Sequence, residues 1–143
     1  MAEVYRSDVI GASAARVWSV IRDFNALPIW TPFVAESRIE GAMPSDRLGC
    51  VRNFRLRDGG EIRERLLVLD DTRMACTYAI LDAPMLVENY RATLRLWPVA
   101  REGACFAEWS ARFDCTPENE PGLLRQIGDG VFAAALAHLR KRF

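Results

Sequence analysis

The chain has 143 residues, half of them hydrophobic, and its 19 basic side chains balance its 19 acidic ones. This length fits a single domain, spanning residues 1–143, and the zero net charge argues against nucleic acid as a partner. The start of the chain lacks the apolar run of a signal peptide and no stretch is long enough to cross a membrane, so we expect a cytoplasmic domain.

The first part of the chain predicts one strand followed by two short helices. Residues 2–10 mix Val, Tyr and Ile with polar residues, a composition that is typical of a strand. Ser13 is a candidate N-cap for a helix that continues to Arg22. Pro28 and Pro32 then limit the following segment to a short helical turn.

The middle of the chain predicts six strands, at residues 33–40, 48–56, 61–69, 73–81, 88–99 and 104–115. The turns between most of them are short, such as RDGG at 57–60, so successive strands should be antiparallel neighbours in a meander. Strict alternation assigns Val34 to a charged outer face, and it assigns Val68 to the same inner face as Glu64.

The last segment predicts a long helix, from about residue 119 to about residue 141. Its apolar face is formed by Leu124, Ile127, Val131, Ala134, Ala135, His138 and Leu139. Small residues, including Gly128, dominate the inner side of this helix. Two interpretations are open: the helix backbone approaches a sheet closely, or the small residues leave space for a ligand.

These elements predict an α+β fold in which a curved antiparallel sheet of about seven strands wraps around the long C-terminal helix. Two short helices lie between strands 1 and 2. The sheet has one apolar face, and the terminal helix is the element long enough to cover it. Because a strongly curved sheet stands away from a straight helix, we expect a gap between the two.

Three segments resemble a known superfamily: GCVRNF at 49–54, EIRERLLVLDD at 61–71 and ENYRATLRL at 88–96. With the element order, they resemble the helix-grip (SRPBCC) superfamily, which includes START domains, pollen-allergen-like proteins, and polyketide cyclase/dehydrase and lipid-transport proteins. Within it the segments look most like bacterial relatives of plant abscisic acid receptors. The resemblance covers essentially the whole chain and implies a helix-grip fold, which hosts carriers, receptors, cyclases and chaperone cofactors.

The resemblance also implies a set of ligand-binding residues. In the receptors, the residues that line the cavity match Phe54, Leu56, Glu64, Tyr78, Ile80, Tyr90, Ile127, Val131 and Ala135 of this chain. Strand alternation adds Ile62 and Trp109 as further candidates on the inner face. Thr31 is the last candidate, because it stands where the receptors carry a lysine that binds a ligand carboxylate.

The chain also departs from the receptors at two loops. The gate loop of the receptors is replaced in this chain by the shorter RDGG turn at 57–60. Their latch loop, with its histidine, arginine and leucine, is replaced by Met85, Leu86 and Val87. These departures argue against hormone recognition and phosphatase inhibition by the receptor mechanism.

Glu64 is the one candidate catalytic residue, because it is a carboxylate among apolar neighbours and such a group is costly to bury without a partner. Three interpretations are open at this point. It forms an internal ion pair with Arg52 or hydrogen bonds with Tyr78, Tyr90 or water; it orients a ligand; or it acts as a general acid or base.

No other chemistry is predicted by the spacing of residues. The four cysteines show no CxxC pair and the chain has one histidine, so we expect no disulfide framework, no metal site and no cofactor. We find no nucleophile–base pair and no phosphate loop. The balanced charge leaves self-association, such as a homodimer, unopposed by net repulsion.

Three functions follow as hypotheses. The first is binding or transport of a small hydrophobic molecule, such as a lipid, isoprenoid, polyketide or aromatic compound, in an internal cavity. The second is an enzyme similar to polyketide cyclases and dehydratases that uses Glu64, Tyr78 and Tyr90. The third is a protein-interaction module of the chaperone-cofactor type, which predicts a large exposed apolar patch instead of an internal void.

Overall fold

Seven antiparallel strands form one sheet in the computed structural model, which describes residues 1–143. The strands are β1 (Ala2–Ile10), β2 (Val34–Ile39), β3 (Val51–Leu56), β4 (Glu61–Asp70), β5 (Ala75–Asp82), β6 (Glu88–Pro98) and β7 (Cys105–Asp114). Their spatial order is β1-β7-β6-β5-β4-β3-β2, so β2 to β7 form the predicted meander and β1 closes the far edge by pairing with β7.

Helices occupy the two ends of the chain. Helix α1 (Ala14–Ile21) begins at the predicted N-cap, where the Ser13 hydroxyl accepts a hydrogen bond from the Arg16 amide at 3.2 Å. Helix α2 (Leu27–Trp30) is a single turn, and a 3-10 turn (Glu40–Ala42) follows β2. The predicted α+β helix-grip fold is thus confirmed, with both short helices between β1 and β2.

The C-terminal helix consists of three consecutive segments: α3 (Glu120–Ile127), a π-helical segment (Gly128–Ala133) and α4 (Ala134–Arg142). Its extent agrees with the prediction, but its π-helical segment was not predicted. A π-turn inserts one residue into the helix and therefore rotates the following residues relative to the preceding ones. The buried face consequently shifts register at this point.

This shift corrects the predicted apolar face. The buried residues of the helix are Leu123, Ile127, Gly128, Phe132, Ala135, Leu136 and Leu139. Leu124, Val131, Ala134 and His138 are only partly buried. Phe132 is fully buried and its ring stacks on Trp109 with centroids 4.4 Å apart, so the inner face carries a large aromatic side chain that the small-residue interpretation did not include.

The two helix glycines have different surroundings. A Cβ atom built on Gly128 would lie 2.6 Å from Nη2 of Arg6 and 3.0 Å from Cγ2 of Val4, both on β1. A Cβ atom on Gly130 would meet no atom within 4 Å. Close approach to the sheet therefore explains Gly128, whereas Gly130 borders open space.

Register shifts between paired strands reverse two of the predicted side-chain orientations. The pairing of β2 with β3 shifts register between Val34 and Glu36, and Val34 is fully buried instead of exposed. The pairing of β4 with β5 shifts between Leu66 and Val68, which leaves Val68 44% exposed and turns Leu69 toward the core. A bulge adds a residue to one strand and so reverses the alternation beyond it.

Candidate functional site

A cavity of about 1020 Å³ lies between the concave face of the sheet and the first half of the C-terminal helix. Strands β3 to β6 contribute its walls, and the helix covers it. Half of the lining residues are hydrophobic. The cavity opens to solvent between the turn after β3, the loop after β5 and the start of the helix, where exposed side chains such as Asp58 and Leu86 border it.

Nine of the predicted ligand-binding residues line this cavity. They are Phe54, Leu56, Ile62, Glu64, Tyr78, Ile80, Tyr90, Ile127 and Val131. The structure therefore brings together side chains from four strands and one helix that are far apart in the sequence. Their contact with a ligand stays a prediction.

The other three candidates lie outside the cavity wall. Thr31 is buried and its hydroxyl donates to the Leu27 carbonyl at 2.7 Å, which ends helix α2 and leaves no group to replace the receptor lysine. Ala135 is completely buried in the core beside the helix register shift. Neither residue is part of this cavity wall. Their contact with a ligand, like that of the other candidates, stays a prediction.

Trp109 lies behind the wall rather than in it. Its ring stacks on Phe132 and is tilted against Trp30 at a centroid distance of 5.6 Å. Its Nε1 donates a hydrogen bond to the Tyr78 hydroxyl at 3.1 Å. The contribution of Trp109 is thus to hold a cavity-lining tyrosine, not to touch the cavity.

Arg52 and Glu64 form a buried ion pair at the sheet wall of the cavity. They are direct cross-strand partners on β3 and β4, and each residue is 5% exposed. Oε1 of Glu64 accepts a hydrogen bond from Nε of Arg52 at 2.8 Å, and Nη2 of Arg52 lies 2.7 Å from the same oxygen. The structure thereby confirms the ion-pair interpretation of Glu64 over the alternative of hydrogen bonds to the two tyrosines.

The guanidinium group of Arg52 is enclosed by further partners. Its Nη1 donates to the Phe24 carbonyl at 3.2 Å, and its Cζ lies 3.9 Å from the centroid of the Phe24 ring and 4.7 Å from that of Tyr78. Cation–π contacts of this kind stabilise a guanidinium that has left water. Arg52 is therefore fixed in place, and it is not among the residues that line the cavity.

Glu64 still has one free carboxylate oxygen. Both contacts from Arg52 are made to Oε1, and Oε2 accepts no hydrogen bond from the protein. Glu64 lines the cavity, so this lone acceptor belongs to the cavity wall. Burial raises the pKa of Glu64 above its ordinary value, and the charge of Arg52 and its hydrogen bonds oppose that shift.

The two cavity tyrosines remain neutral hydroxyls at physiological pH. Burial raises the pKa of Tyr78 and of Tyr90 well above the ordinary value of a phenol, and the nearby carboxylate of Glu64 adds to both shifts. Tyr78 accepts from Trp109, so its own hydroxyl can donate one hydrogen, to Tyr90 or to a ligand. These groups can bind and orient a polar atom of a ligand.

The mouth of the cavity was not predicted residue by residue. It includes Pro32, Phe33, Arg57, Asp58, Pro84, Met85, Leu86, Glu118, Pro121, Arg125 and Gln126. Apart from Phe33, which begins the strand predicted at 33–40, these residues lie in loops and at the start of the helix, where no alternation indicates side-chain direction. The available signal was their position, since they flank strands whose inner faces were already assigned.

No group of three or more His, Cys, Asp or Glu side chains is arranged to hold a metal ion. The four cysteines are free thiols, and burial raises the pKa of Cys76 to about 11. None of the helices combines the length and the apolar composition that a membrane span requires.

Comparison with known proteins identifies relatives over the full chain. The family described as polyketide cyclase/dehydrase and lipid transport matches residues 1–143. The structure of the protein XoxI from Bacillus cereus is 30% identical in sequence, with a TM-score of 0.89 over 100% of this chain and 96% of that one. A solved structure from Thermobifida fusca is 37% identical, with a TM-score of 0.89 over 99% of this chain and 93% of that one.

A more distant structure shares the fold alone. Norcoclaurine synthase from Thalictrum flavum, solved in complex with dopamine and hydroxybenzaldehyde, is 18% identical. The TM-score is 0.77 over 99% of this chain and 85% of that one.

Proposed function

Because this chain belongs to the polyketide cyclase/dehydrase and lipid transport family, we propose that it binds a small hydrophobic molecule in the cavity between the sheet and the C-terminal helix. The ligand class is a lipid, isoprenoid, polyketide or aromatic compound, and the protein acts as its carrier or sensor. The observation that supports this proposal best is the combination of an apolar cavity with a few buried polar groups on its wall.

The size of the cavity agrees with this proposal. Its volume of about 1020 Å³ is at the upper end of the range of roughly 300–1,000 Å³ that is usual for small-molecule sites. The mouth joins it to solvent, so a ligand can enter without unfolding the sheet. The fold also accommodates aromatic molecules in norcoclaurine synthase, whose structure contains dopamine and hydroxybenzaldehyde.

Native mass spectrometry of the purified protein, followed by denaturing extraction, tests the proposal directly. We expect a co-purified hydrophobic molecule, or an increase in melting temperature with members of a library of hydrophobic metabolites. An empty protein that no member of the library stabilises would contradict the proposal.

A pair of matched substitutions on one helix shows where a ligand binds. Val131→Trp fills the cavity from the helix side, so it should abolish binding of any ligand found. Ala137→Trp adds the same side chain at an exposed position of α4 and should leave binding unchanged. Binding that persists in Val131→Trp would mean that the ligand occupies another site.

One observation favours an enzyme as the second candidate function. The free Oε2 of Glu64, on a carboxyl group whose pKa burial raises, is placed in the cavity wall together with the Tyr78 hydroxyl. Such a group can move a proton while the tyrosine polarises a carbonyl, as a cyclase or dehydratase requires. Turnover of a polyketide or aromatic precursor that is lost in Glu64→Gln, with ligand binding retained, would favour this candidate.

The third hypothesis, a protein-interaction module of the chaperone-cofactor type, has less support. It predicts an exposed apolar patch in place of an internal void, and the chain has a large void. It becomes the better explanation if no small molecule binds.

A further inference from the structure

The polar groups in the cavity wall limit what kind of ligand the cavity can hold, provided that the proposed function is correct. Oε2 of Glu64 is a hydrogen-bond acceptor without a partner in the protein. The Tyr78 hydroxyl accepts from Trp109 and can donate its own hydrogen. Tyr90 adds a second buried hydroxyl to the wall. A ligand atom here finds one strong acceptor together with phenolic donors.

The charge of this region is already balanced. Arg52 carries the one positive charge beside Glu64, and its nitrogens are bonded to that carboxylate and to the Phe24 carbonyl. The single lysine of the chain, Lys141, lies exposed near the end of α4. Thr31 is occupied by its bond to the Leu27 carbonyl. The inner part of the cavity therefore contains one ion pair and no cation free to bind an anion.

At the buried end of the cavity this balance disfavours a charged group of either sign, whereas Arg57 and Arg125 border only the mouth. A carboxylate would lie beside the Glu64 carboxylate with no free cation to compensate it, in a region of low dielectric where like charges repel strongly. An ammonium group could bond to Oε2 but would add a second positive charge beside the buried Arg52 guanidinium. A ligand without a donor would leave Oε2 desolvated and unpaired.

We infer that the ligand carries an uncharged hydroxyl group, an alcohol or a phenol, at its buried end. This hydroxyl donates to Oε2 of Glu64, and the Tyr78 and Tyr90 hydroxyls are the donors available to its oxygen. The remainder of the molecule is apolar and lies against Phe54, Ile62 and other hydrophobic side chains of the wall.

A matched series of biphenyl probes tests this inference in the wild-type protein. 4-Phenylphenol, biphenyl-4-carboxylate, 4-phenylbenzylammonium and unsubstituted biphenyl share one apolar body and differ in the end group. We expect 4-phenylphenol to bind roughly 10 to 100 times more tightly than the other three, which is the range that a hydrogen bond to a charged group provides. Calorimetry or displacement of a fluorescent apolar probe at neutral pH gives these affinities.

Two variants test separately the charge of Glu64 and the hydroxyl of Tyr90. Glu64→Gln leaves Arg52 uncompensated, so the preference should reverse and biphenyl-4-carboxylate should bind more tightly than 4-phenylphenol. Tyr90→Phe keeps the ion pair and removes one donor, so it should weaken 4-phenylphenol several-fold and leave biphenyl unchanged. The second variant and the wild-type series decide the question if Glu64→Gln does not fold.

The outcomes distinguish this inference from the proposed function. If biphenyl or the carboxylate binds to the wild-type protein at least as tightly as 4-phenylphenol, the cavity is a ligand site but the inferred hydroxyl is wrong. If Val131→Trp does not affect the binding of 4-phenylphenol, the probe lies elsewhere and the inference is likewise overturned. If no probe binds and no hydrophobic molecule co-purifies, the proposed function itself fails.

Discussion

Arg52 and Glu64 face each other across β3 and β4, with both side chains almost completely buried. Moving two charges out of water is costly, and well-packed apolar residues often stabilise a core as well as such a pair does. The pair is therefore poorly explained by stability alone. Its position beside the cavity, with one carboxylate oxygen unpaired, agrees with the proposed ligand binding.

Removing one member of this pair should be much more harmful than removing both. Arg52→Met leaves a buried carboxylate uncompensated, so we expect a loss of about 3–5 kcal/mol in the free energy of unfolding. Arg52→Met combined with Glu64→Met removes the unpaired charge and should recover most of that loss. Urea denaturation of the wild type and the variants measures both effects.

Arg55→Met is the matched control, because Arg55 lies on the same strand and pairs with Glu36 at an exposed position. It should have a much smaller effect than Arg52→Met. Equal losses in the free energy of unfolding for Arg52→Met and Arg55→Met would show that burial of the Arg52 pair does not increase the cost of breaking it.

Glu40 connects an ion pair to the pH dependence of stability. Its carboxylate accepts hydrogen bonds from Arg63 at 2.7 and 2.8 Å and from Asn53 at 3.2 Å. The bonds to Arg63 are the main reason why the pKa of Glu40 falls from 4.5 to about 2. The unfolded chain thus binds the proton more tightly than the folded protein does, and stability decreases as protons are taken up.

The contribution of the Glu40 ion pair to the free energy of unfolding should be complete above pH 4.5 and should be lost as the pH falls toward about 2. Glu40→Gln removes it at every pH, so the stability difference between wild type and variant should shrink across this window. Denaturation at a series of pH values measures the difference. The control is Glu102→Gln, because Glu102 is exposed and without an ion pair in the turn before β7. If the stability difference between wild type and Glu40→Gln does not change with pH, the lowered pKa of Glu40 is contradicted.

At the scale of elements, the C-terminal helix shows what a periodic pattern can and cannot indicate. Its position and length were predictable because apolar residues recur at helical spacing. The π-helical segment was not, since one extra residue per turn leaves no mark on composition. This is why Phe132 and Leu136 were missed as core residues.

The two helix glycines provide a matched test of the element. Gly130→Ala adds a methyl group in open space, so it should stabilise the protein by up to about 1 kcal/mol through helix propensity. Gly128→Ala gains the same propensity but places the methyl group against Arg6 and Val4, and displacing Arg6 disturbs its 3.0 Å ion pair with Asp129. We therefore expect a higher melting temperature for Gly130→Ala than for Gly128→Ala, and the reverse order would contradict this packing.

In the strands, as in the helix, a periodic pattern predicts side-chain direction until an inserted residue breaks it. Alternation placed Phe54, Glu64 and Tyr78 on the cavity side, because it persists for several residues in each strand. It failed at Val34 and Val68, where bulges in the ladder reverse the faces. A bulge depends on the partner strand, so a sequence examined one strand at a time does not contain it.

At the scale of the whole molecule, the order of the elements was enough to predict the sheet and the helix that it grips. Short turns determine which strands are neighbours for most of the sheet. The pairing of β1 with β7 has no such local signal, because no turn joins these two strands. The mouth of the cavity was only partly predictable. The resemblance pointed to the loops at 57–60 and 85–87, but the start of the helix, with residues such as Arg125, meets them only in the folded protein.

Ligand binding should stabilise the whole molecule, because the cavity exists only when sheet and helix are packed together. At a free ligand concentration of about 100 times Kd, the free energy of unfolding should increase by about 2.7 kcal/mol. Val131→Trp should lose this increase and Ala137→Trp should keep it. Stabilisation that persists in Val131→Trp would place the ligand outside the cavity.

The pairing of β1 with β7 also has a consequence for the order in which the protein folds during synthesis. Ala2 pairs with Phe113, so β1 leaves the ribosome well before its partner strand β7 has been synthesised. The meander from β2 to β6 can form hairpin by hairpin in the meantime, since its contacts are local. The apolar residues of β1 therefore remain without their partner strand until β7 has been synthesised.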